Sequence, residues 1–257
     1  MNEPQHTPGP WKVYEPIAAA PDLLAACEGM ADRLDEYAWR AWRRDGIGGS
    51  DIAAILGLSP YDDHTRASVF AEKVHGIERE VNFAMHRGTR LEPHARYAYE
   101  RRQRCSAPPA CVEMAGCPWA RVSLDGLCHD GAAINRQLWL LELKCPNWMT
   151  HDAALGGVVA DHFAVQCQWQ MLVTGIQKLD FASFNPGQRF TPAGAMPWDE
   201  WHKLAEVQRP PMPSEWLAVH ALAPDEDRQA WILEEAGRFW FEVCEARAGL
   251  VPATGGS

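Results

Sequence analysis

The sequence predicts an α/β chain with a central mixed β-sheet flanked by helices and helical appendages at both ends. Three observations lead there. Short apolar runs rich in strand formers occur at residues 120–124, 138–144 and 179–184. Apolar residues recur at helical spacing before, between and after these runs. Glycine, proline and asparagine mark the joints.

Taken in order, Pro4, Pro8, Pro10 and Pro16 punctuate an opening stretch whose one regular piece is a short helix at 22–27. Residues 1–35 are therefore read as a partly disordered appendage, and residues 36–195 as the main domain. Within it, Gly48-Gly49-Ser50-Asp51 followed by Ile52, Ile55 and Leu56 predicts a capped short helix closed by Gly57. A second helix follows at 66–75. Pro93 is tolerated in a first turn, which places the next helix from about Arg90 to Arg104, with Leu91, Ala95 and Ala98 inward and Glu92 in that turn. The runs at 120–124 and 138–144 become strands joined, hairpin-like, by a segment rich in Gly, Asp and Asn. Phe163, Cys167 and Met171, four apart, predict a helix at 162–174 stopped by Gly175, with a strand at 179–184 after it. Residues 196–257 are assigned to a C-terminal helical extension. Its amphipathic helix at 225–248 carries Trp231, Ile232, Phe239, Trp240 and Val243, and its tail is expected to be disordered.

Composition narrows the function classes. No apolar run approaches the roughly 20 residues that span a bilayer, and Met1-Asn2-Glu3-Pro4 lacks the basic-then-apolar pattern of a leader. The expected location is the cytoplasm. Eight scattered cysteines read as reduced thiols, and the six-residue spacing of Cys105, Cys111 and Cys117 fits no usual zinc loop. A net charge of -10 argues against a protein that coats nucleic acid, although six arginines between Arg87 and Arg104 concentrate positive charge in one segment. No G-x-x-x-x-G-K-[ST] loop is present, which excludes that type of built-in ATP motor.

One pair of segments carries chemistry. In Leu140-Leu141-Glu142-Leu143-Lys144 side chains alternate between faces, so Glu142 and Lys144 share one face, expected to be an exposed edge, while Leu141 and Leu143 point inward. Asp125 ends the preceding strand, and Gly126 beside it permits close backbone approach. Two carboxylates thus converge. With the main-chain carbonyl of Leu143 they suit a hard divalent cation such as Mg²⁺, which takes few protein oxygens and leaves room for water and phosphate. Lys144 would orient the attacking water or stabilise charge on a phosphate. The other role open to Glu142 and Lys144 is a solvated strand face or a cross-strand pair. Ser50, at a helix start with the amides of Gly49 and Asp51, reads as an anion site.

The blocks Ser123-Leu124-Asp125-Gly126-Leu127-Cys128, Leu141-Glu142-Leu143-Lys144-Cys145-Pro146, Leu155-Gly156-Gly157 and the run from Gln166 to Gly175 resemble the lambda exonuclease and YqaJ viral recombinase family of the PD-(D/E)XK nucleases. Gly48-Gly49-Ser50-Asp51 and Arg87-Gly88-Thr89-Arg90-Leu91-Glu92-Pro93 match as well, so the resemblance spans roughly residues 39–186. It implies a restriction-endonuclease-like fold and an ATP-independent, Mg²⁺-dependent 5′-to-3′ exonuclease on double-stranded DNA ends, with Mn²⁺ able to substitute. A single-strand annealing protein is the implied partner, a ring trimer the implied homo-oligomer, and a phage or prophage in a bacterial host the implied origin. Asp125, Glu142 and Lys144 become catalytic. Glu92 corresponds to the additional family acid near the metal, and Gln166 to the family glutamine on the flanking helix. Arg43 matches the position that meets the terminal 5′-phosphate, joining Ser50 there. Plain alternatives stay open: Glu92 as a first-turn acid offsetting the helix dipole, Gln166 as a helix surface residue and Arg43 as a surface arginine. An endonuclease of the same superfamily and a non-catalytic DNA-binding protein are the other readings. Leu124 replaces the family's proline, and Thr150 or His151 stands where a family arginine contacts DNA.

Overall fold

A computed structural model describes residues 36–77, 79–131 and 137–250; the helix expected at 22–27 and the tail after 250 lie outside them. The chain runs through α1 (Glu36–Arg44), α2 (Gly49–Ile55), α3 (Arg66–His75) and α4 (Phe83–Gln103) into a pair of strands, β1 (Ala110–Met114) and β2 (Cys117–Leu124). Then come β3 (Gly126–His129), β4 (Leu138–Lys144), α5 (Trp148–Leu155), α6 (Asp161–Thr174) and β5 (Leu179–Phe184). A short α7 (Trp198–Trp201), β6 (Leu217–Leu222) and the long α8 (Glu226–Leu250) complete the described chain.

β1 and β2 pair antiparallel as their own two-stranded sheet. The central sheet has the order β3-β4-β5-β6 and is mixed: β3 and β4 are antiparallel, β4 and β5 parallel, β5 and β6 antiparallel. A parallel pair cannot be joined by a tight turn. The crossover from β4 to β5 is made by α5 and α6, whose capping glycine, Gly175 at φ 70°, ends the latter in the left-handed conformation that glycine adopts without a steric penalty. Helices cover both faces. On one, Ile52, Val122, Leu140, Trp169, Phe181 and Phe239 form a core under α2, α3, α6 and α8. On the other, Leu91, Ala95, Tyr99, Leu141, Leu143 and Phe184 pack with α4 and the segment around Trp201 and Trp216.

Several expectations change. β4 is buried on both faces, so Glu142 is not on an exposed edge; it lies on the α6 side and is 1% exposed. The strand ending at Leu124 does not form a hairpin with β4. It pairs with β1, and β3 supplies β4's antiparallel neighbour. The third difference is α4, which begins two turns early because Asn82 caps it by accepting from the Met85 amide. Pro93 therefore sits in the helix interior and Glu92 is not in the first turn, where the dipole would have favoured it. The C-terminal stretch is no mere extension. β6 is the fourth strand of the sheet, and Ile232, Ala236, Phe239 and Val243 of α8 are in the core.

Candidate active site

The site begins where the chain leaves one sheet for the other. β2 ends at Leu124 and β3 begins at Gly126, whose hypothetical Cβ would lie 3.0 Å from the Ala107 Cβ and 3.1 Å from that of Leu141. Only glycine permits that approach without a shift, and it brings Asp125 against β4. The Leu140 amide bonds across to Lys178 on the β5 side, so by strand alternation the main chain of Leu141 and Leu143 faces β3. Because β3 starts only at Gly126, opposite Leu141, Leu143 has no strand partner on that side. Asp125 Oδ2 accepts from the Leu143 amide at 2.7 Å, and the Leu143 carbonyl projects to the same side.

Glu142 is set behind the surface. Its Oε1 meets the Lys144 ammonium as an ion pair but lacks a directed hydrogen bond, while its Oε2 accepts from Gln170 Nε2 of α6. Gln170 Oε1 is buried and also without a hydrogen-bond partner. Burial, and next the charge of Glu142, push the Asp125 carboxyl up to about 8, against the opposing pull of Lys144. For Lys144 burial disfavours the charge, yet the carboxylates of Glu142 and Asp125 outweigh it and hold the ammonium above the ordinary lysine range. The ammonium also lies 5.5 Å from the Phe163 ring centroid. Two acids and one base therefore form a tight cluster at the cleft, which is one positive charge short once the Asp125 proton has left.

These donors fit a divalent cation of the magnesium type. The Asp125 carboxylate and the Leu143 carbonyl lie at the cleft, with the Glu142 carboxylate buried close behind them and one of its oxygens lacking a directed hydrogen bond. Among the described residues no group of three or more His, Cys, Asp or Glu side chains is arranged to hold an ion. The side-chain donors are those of a cation that completes its shell with water and phosphate rather than of a closed cage.

Asp125, Lys144, Leu143 and Glu92 line one cleft of about 780 Å³, together with Gln166, Ser50 and Thr150. Glu92 reaches the cleft, but its carboxylate is engaged by Arg96 at 2.7 Å. Gln166 faces the cleft from α6; it is Gln170, one turn on, that touches Glu142. Arg43 and Ser50 are brought together, with Arg43 Nη2 donating to Ser50 Oγ at 2.9 Å. Of the amides expected to make an anion site with Ser50, that of Asp51 is already taken. Asp51 donates its amide to the Gly48 carbonyl, and its own carboxylate accepts from the Gly48 amide. His151 is buried with both ring nitrogens bonded, to Ser183 Oγ and the Glu215 carbonyl, which leaves Thr150 as the member of that pair facing the cleft.

Two site residues escaped the sequence reading. Gln170 falls on the buried face of α6, and its place in Gln166-x-x-x-Gln170 was the available signal. Arg87 donates to the carbonyls of Cys145 and Pro146 and so clamps the turn that follows Lys144. Much of the expected basic segment is spent similarly: Arg96 binds Glu92 and the Ala107 carbonyl, Arg101 binds Glu206 and Arg102 the Leu217 carbonyl. The cysteines of the described residues are free thiols, and no helix among those residues is long and apolar enough to cross a membrane.

Residues 38–177, more than half of the sequence, match the profile of the YqaJ-like viral recombinase domain. No curated protein matches the chain. Among solved structures, an alkaline exonuclease from Laribacter hongkongensis (LHK-Exo), also solved in complex with dAMP, is 26% identical over 82% of this chain and 94% of its own, with a TM-score of 0.59. A phage related exonuclease from Haemophilus somnus 129PT, 11% identical over 78% of this chain and 95% of its own, shares the fold with a TM-score of 0.50. The architecture is restriction-endonuclease-like, as the sequence blocks implied.

Proposed function

Because the chain belongs to the YqaJ-like viral recombinase domain family, we propose that it is a divalent-metal-dependent deoxyribonuclease that degrades linear duplex DNA from 5′ ends without ATP. One observation carries this reading: Asp125, Glu142 and Lys144 meet beneath a single cleft, with Asp125 fixed by the Leu143 amide. The similarity to LHK-Exo, an alkaline exonuclease solved with dAMP, supports the substrate class.

Asp125, Glu142 and the Leu143 carbonyl would hold Mg²⁺, or Mn²⁺ in its place, with Glu92 extending the acidic wall of the cleft. A bound cation supplies Lewis acidity and water of lowered pKa. Lys144 keeps a permanent positive charge next to the carboxylates, where it stabilises negative charge developing on the phosphate and orients the attacking water. Gln170 holds Glu142 in place, and Gln166 faces the substrate side of α6. Arg43 and Ser50, already in contact, receive the 5′-phosphate of the entering strand. The resemblance adds a homo-oligomeric ring around DNA and a single-strand annealing protein that takes up the exposed strand.

Linear duplex labelled at the 5′ or the 3′ terminus tests this. Wild type with Mg²⁺ and no ATP should release the 5′ label first and spare closed circular duplex, while Lys144→Ala should release no label and leave both substrates intact. Cutting of closed circles would favour the endonuclease alternative, and equal digestion by both proteins would remove Lys144 from the mechanism.

A further inference from the structure

A buried ion pair lies behind the Arg43–Ser50 contact, in a part of the molecule that the nuclease chemistry leaves unused. Asp51 is 1% exposed and Lys73 of α3 is fully buried, and their Oδ2 and Nζ atoms are 2.9 Å apart. Removing two charges from water costs several kcal/mol per ion unless further polar contacts complete the pair. Here they do. Lys73 Nζ donates to the main-chain carbonyl of Arg43 at 3.0 Å, and Asp51 Oδ2 accepts from the Gly48 amide at 2.9 Å. Asp51 Oδ1 lies 3.7 Å from the Arg43 guanidinium. Burial works against the Asp51 charge, but Lys73 and Arg43 prevail and hold its carboxyl below the ordinary value.

The contacts close a ring. Starting at the Arg43 guanidinium, the path runs through the Asp51 carboxylate and the Lys73 ammonium and returns to the carbonyl of Arg43 itself. Arg43 is thus gripped at its main chain and its charged tip. The grip matters because an arginine side chain otherwise loses rotamer entropy of about 2 kcal/mol when a ligand orders it. A guanidinium held beforehand against Ser50 at the cleft rim avoids much of that cost. Lys73 lies nearest Asp51, at 2.9 Å, while also pairing with Glu72 at 3.3 Å, and the longer 3.7 Å contact leaves the partly exposed Arg43 guanidinium open to an anion.

We propose that Asp51 and Lys73 are positioning residues of the terminal-phosphate subsite: the buried pair fixes Arg43 at both ends so that its guanidinium, with Ser50, receives the 5′-phosphate of DNA. This inference rests on the assignment of Arg43 and Ser50 to that phosphate.

The measurement is the ratio of initial rates on 5′-phosphorylated and 5′-hydroxyl linear duplex, in Mg²⁺, for each protein preparation. A ratio within one preparation does not depend on how much of the protein is folded. Wild type should prefer the phosphate, and Arg43→Ala should lower the ratio on the order of tenfold, the factor expected for losing a hydrogen bond between charged groups. Asp51→Asn and Lys73→Met should lower it comparably, and Asp51→Asn combined with Arg43→Ala should lower it no further than Arg43→Ala alone. The charge-conserving Asp51→Glu and Lys73→Arg are measured in the same way wherever the first pair fails to fold, and the same drop is expected.

Two results overturn the proposal by different routes. No preference in wild type, or none lost in Arg43→Ala, removes the phosphate assignment beneath it. A preference that Arg43→Ala abolishes but the Asp51 and Lys73 variants retain, or additive losses in the double variant, leaves that assignment standing and removes the positioning role.

Discussion

The Asp125 carboxylate and the Leu143 amide are joined by a 2.7 Å hydrogen bond just outside the start of β3, where β4 keeps only β5 as a strand neighbour. Asp125→Asn retains an acceptor for that amide and discards the charge. It also relieves the repulsion from Glu142 that helps to raise the Asp125 pKa. Digestion of linear duplex should therefore fall by at least about a hundredfold, while the thermal midpoint at pH 9 stays equal to or above that of wild type. A clear drop in midpoint would mean that Asp125 is structural.

The same carboxyl sets a pH dependence. Its folded-state value of about 8 lies above the roughly 3.9 of an unfolded aspartic acid. A raised carboxyl pKa means that the folded state holds the proton more tightly, so this contribution to metal-free stability is full below about pH 4 and is lost as pH rises through about 8. A cation must displace that proton. Mg²⁺ affinity should accordingly climb from pH 6.5 to about 8 and then level, as followed by isothermal titration calorimetry. A flat profile over that interval would contradict the assignment of Asp125.

Lys144 and a cation compete for Glu142, since the ammonium already pairs with Oε1. Lys144→Ala leaves that carboxylate buried with Gln170 as its remaining donor. The cost should be about 1–3 kcal/mol, below the range for a fully buried pair because a quarter of the Lys144 side chain is exposed. Added Mg²⁺ should then raise the melting temperature of the variant more than that of wild type. An equal rise in both proteins would show that Glu142 does not bind the cation.

Gln170→Leu removes the donor to Glu142 Oε2 at nearly constant volume, and it also removes an amide oxygen that has no hydrogen-bond partner. The lost hydrogen bond to a charged group predicts a destabilisation of about 1–3 kcal/mol, seen as a lower urea midpoint at unchanged slope. Mg²⁺ should recover part of it. Gln166→Leu, on the cleft side of the same helix, should leave the urea midpoint within about 0.5 kcal/mol of wild type.

The sequence reading and the structure agree where the signal was local. The helices at 66–75 and near 162–174 and the strands at 138–144 and 179–184 follow from apolar spacing and from stop residues such as Gly175, and each lies where it was read. β1, β3 and β6 were not legible. β1 and β3 are short, and β6, although as long as β5, is flanked by prolines and carries the partly exposed His220 in a strand whose burial does not alternate. Pro93 misled because its cost in a helix interior is an average. In α4 that cost is offset by the packing of Leu91, Ala95 and Ala98 on either side of it.

What the sequence by itself determined is the set of candidates for the site: Asp125 beside a glycine, Glu142 and Lys144 two apart on a strand, Ser50 at a helix start and, through the family resemblance, Arg43. Spacing along a strand dictates which side chains share a face, and that is a property of the local backbone. Whether the face meets water or protein depends on what packs against it. Only the tertiary structure decided that β4 is covered on both sides, that Gln170 rather than solvent meets Glu142, and that Lys73 lies behind Arg43. These contacts join residues 28 to 30 positions apart through elements whose approach is set by burial of the whole core. No local pattern encodes that distance.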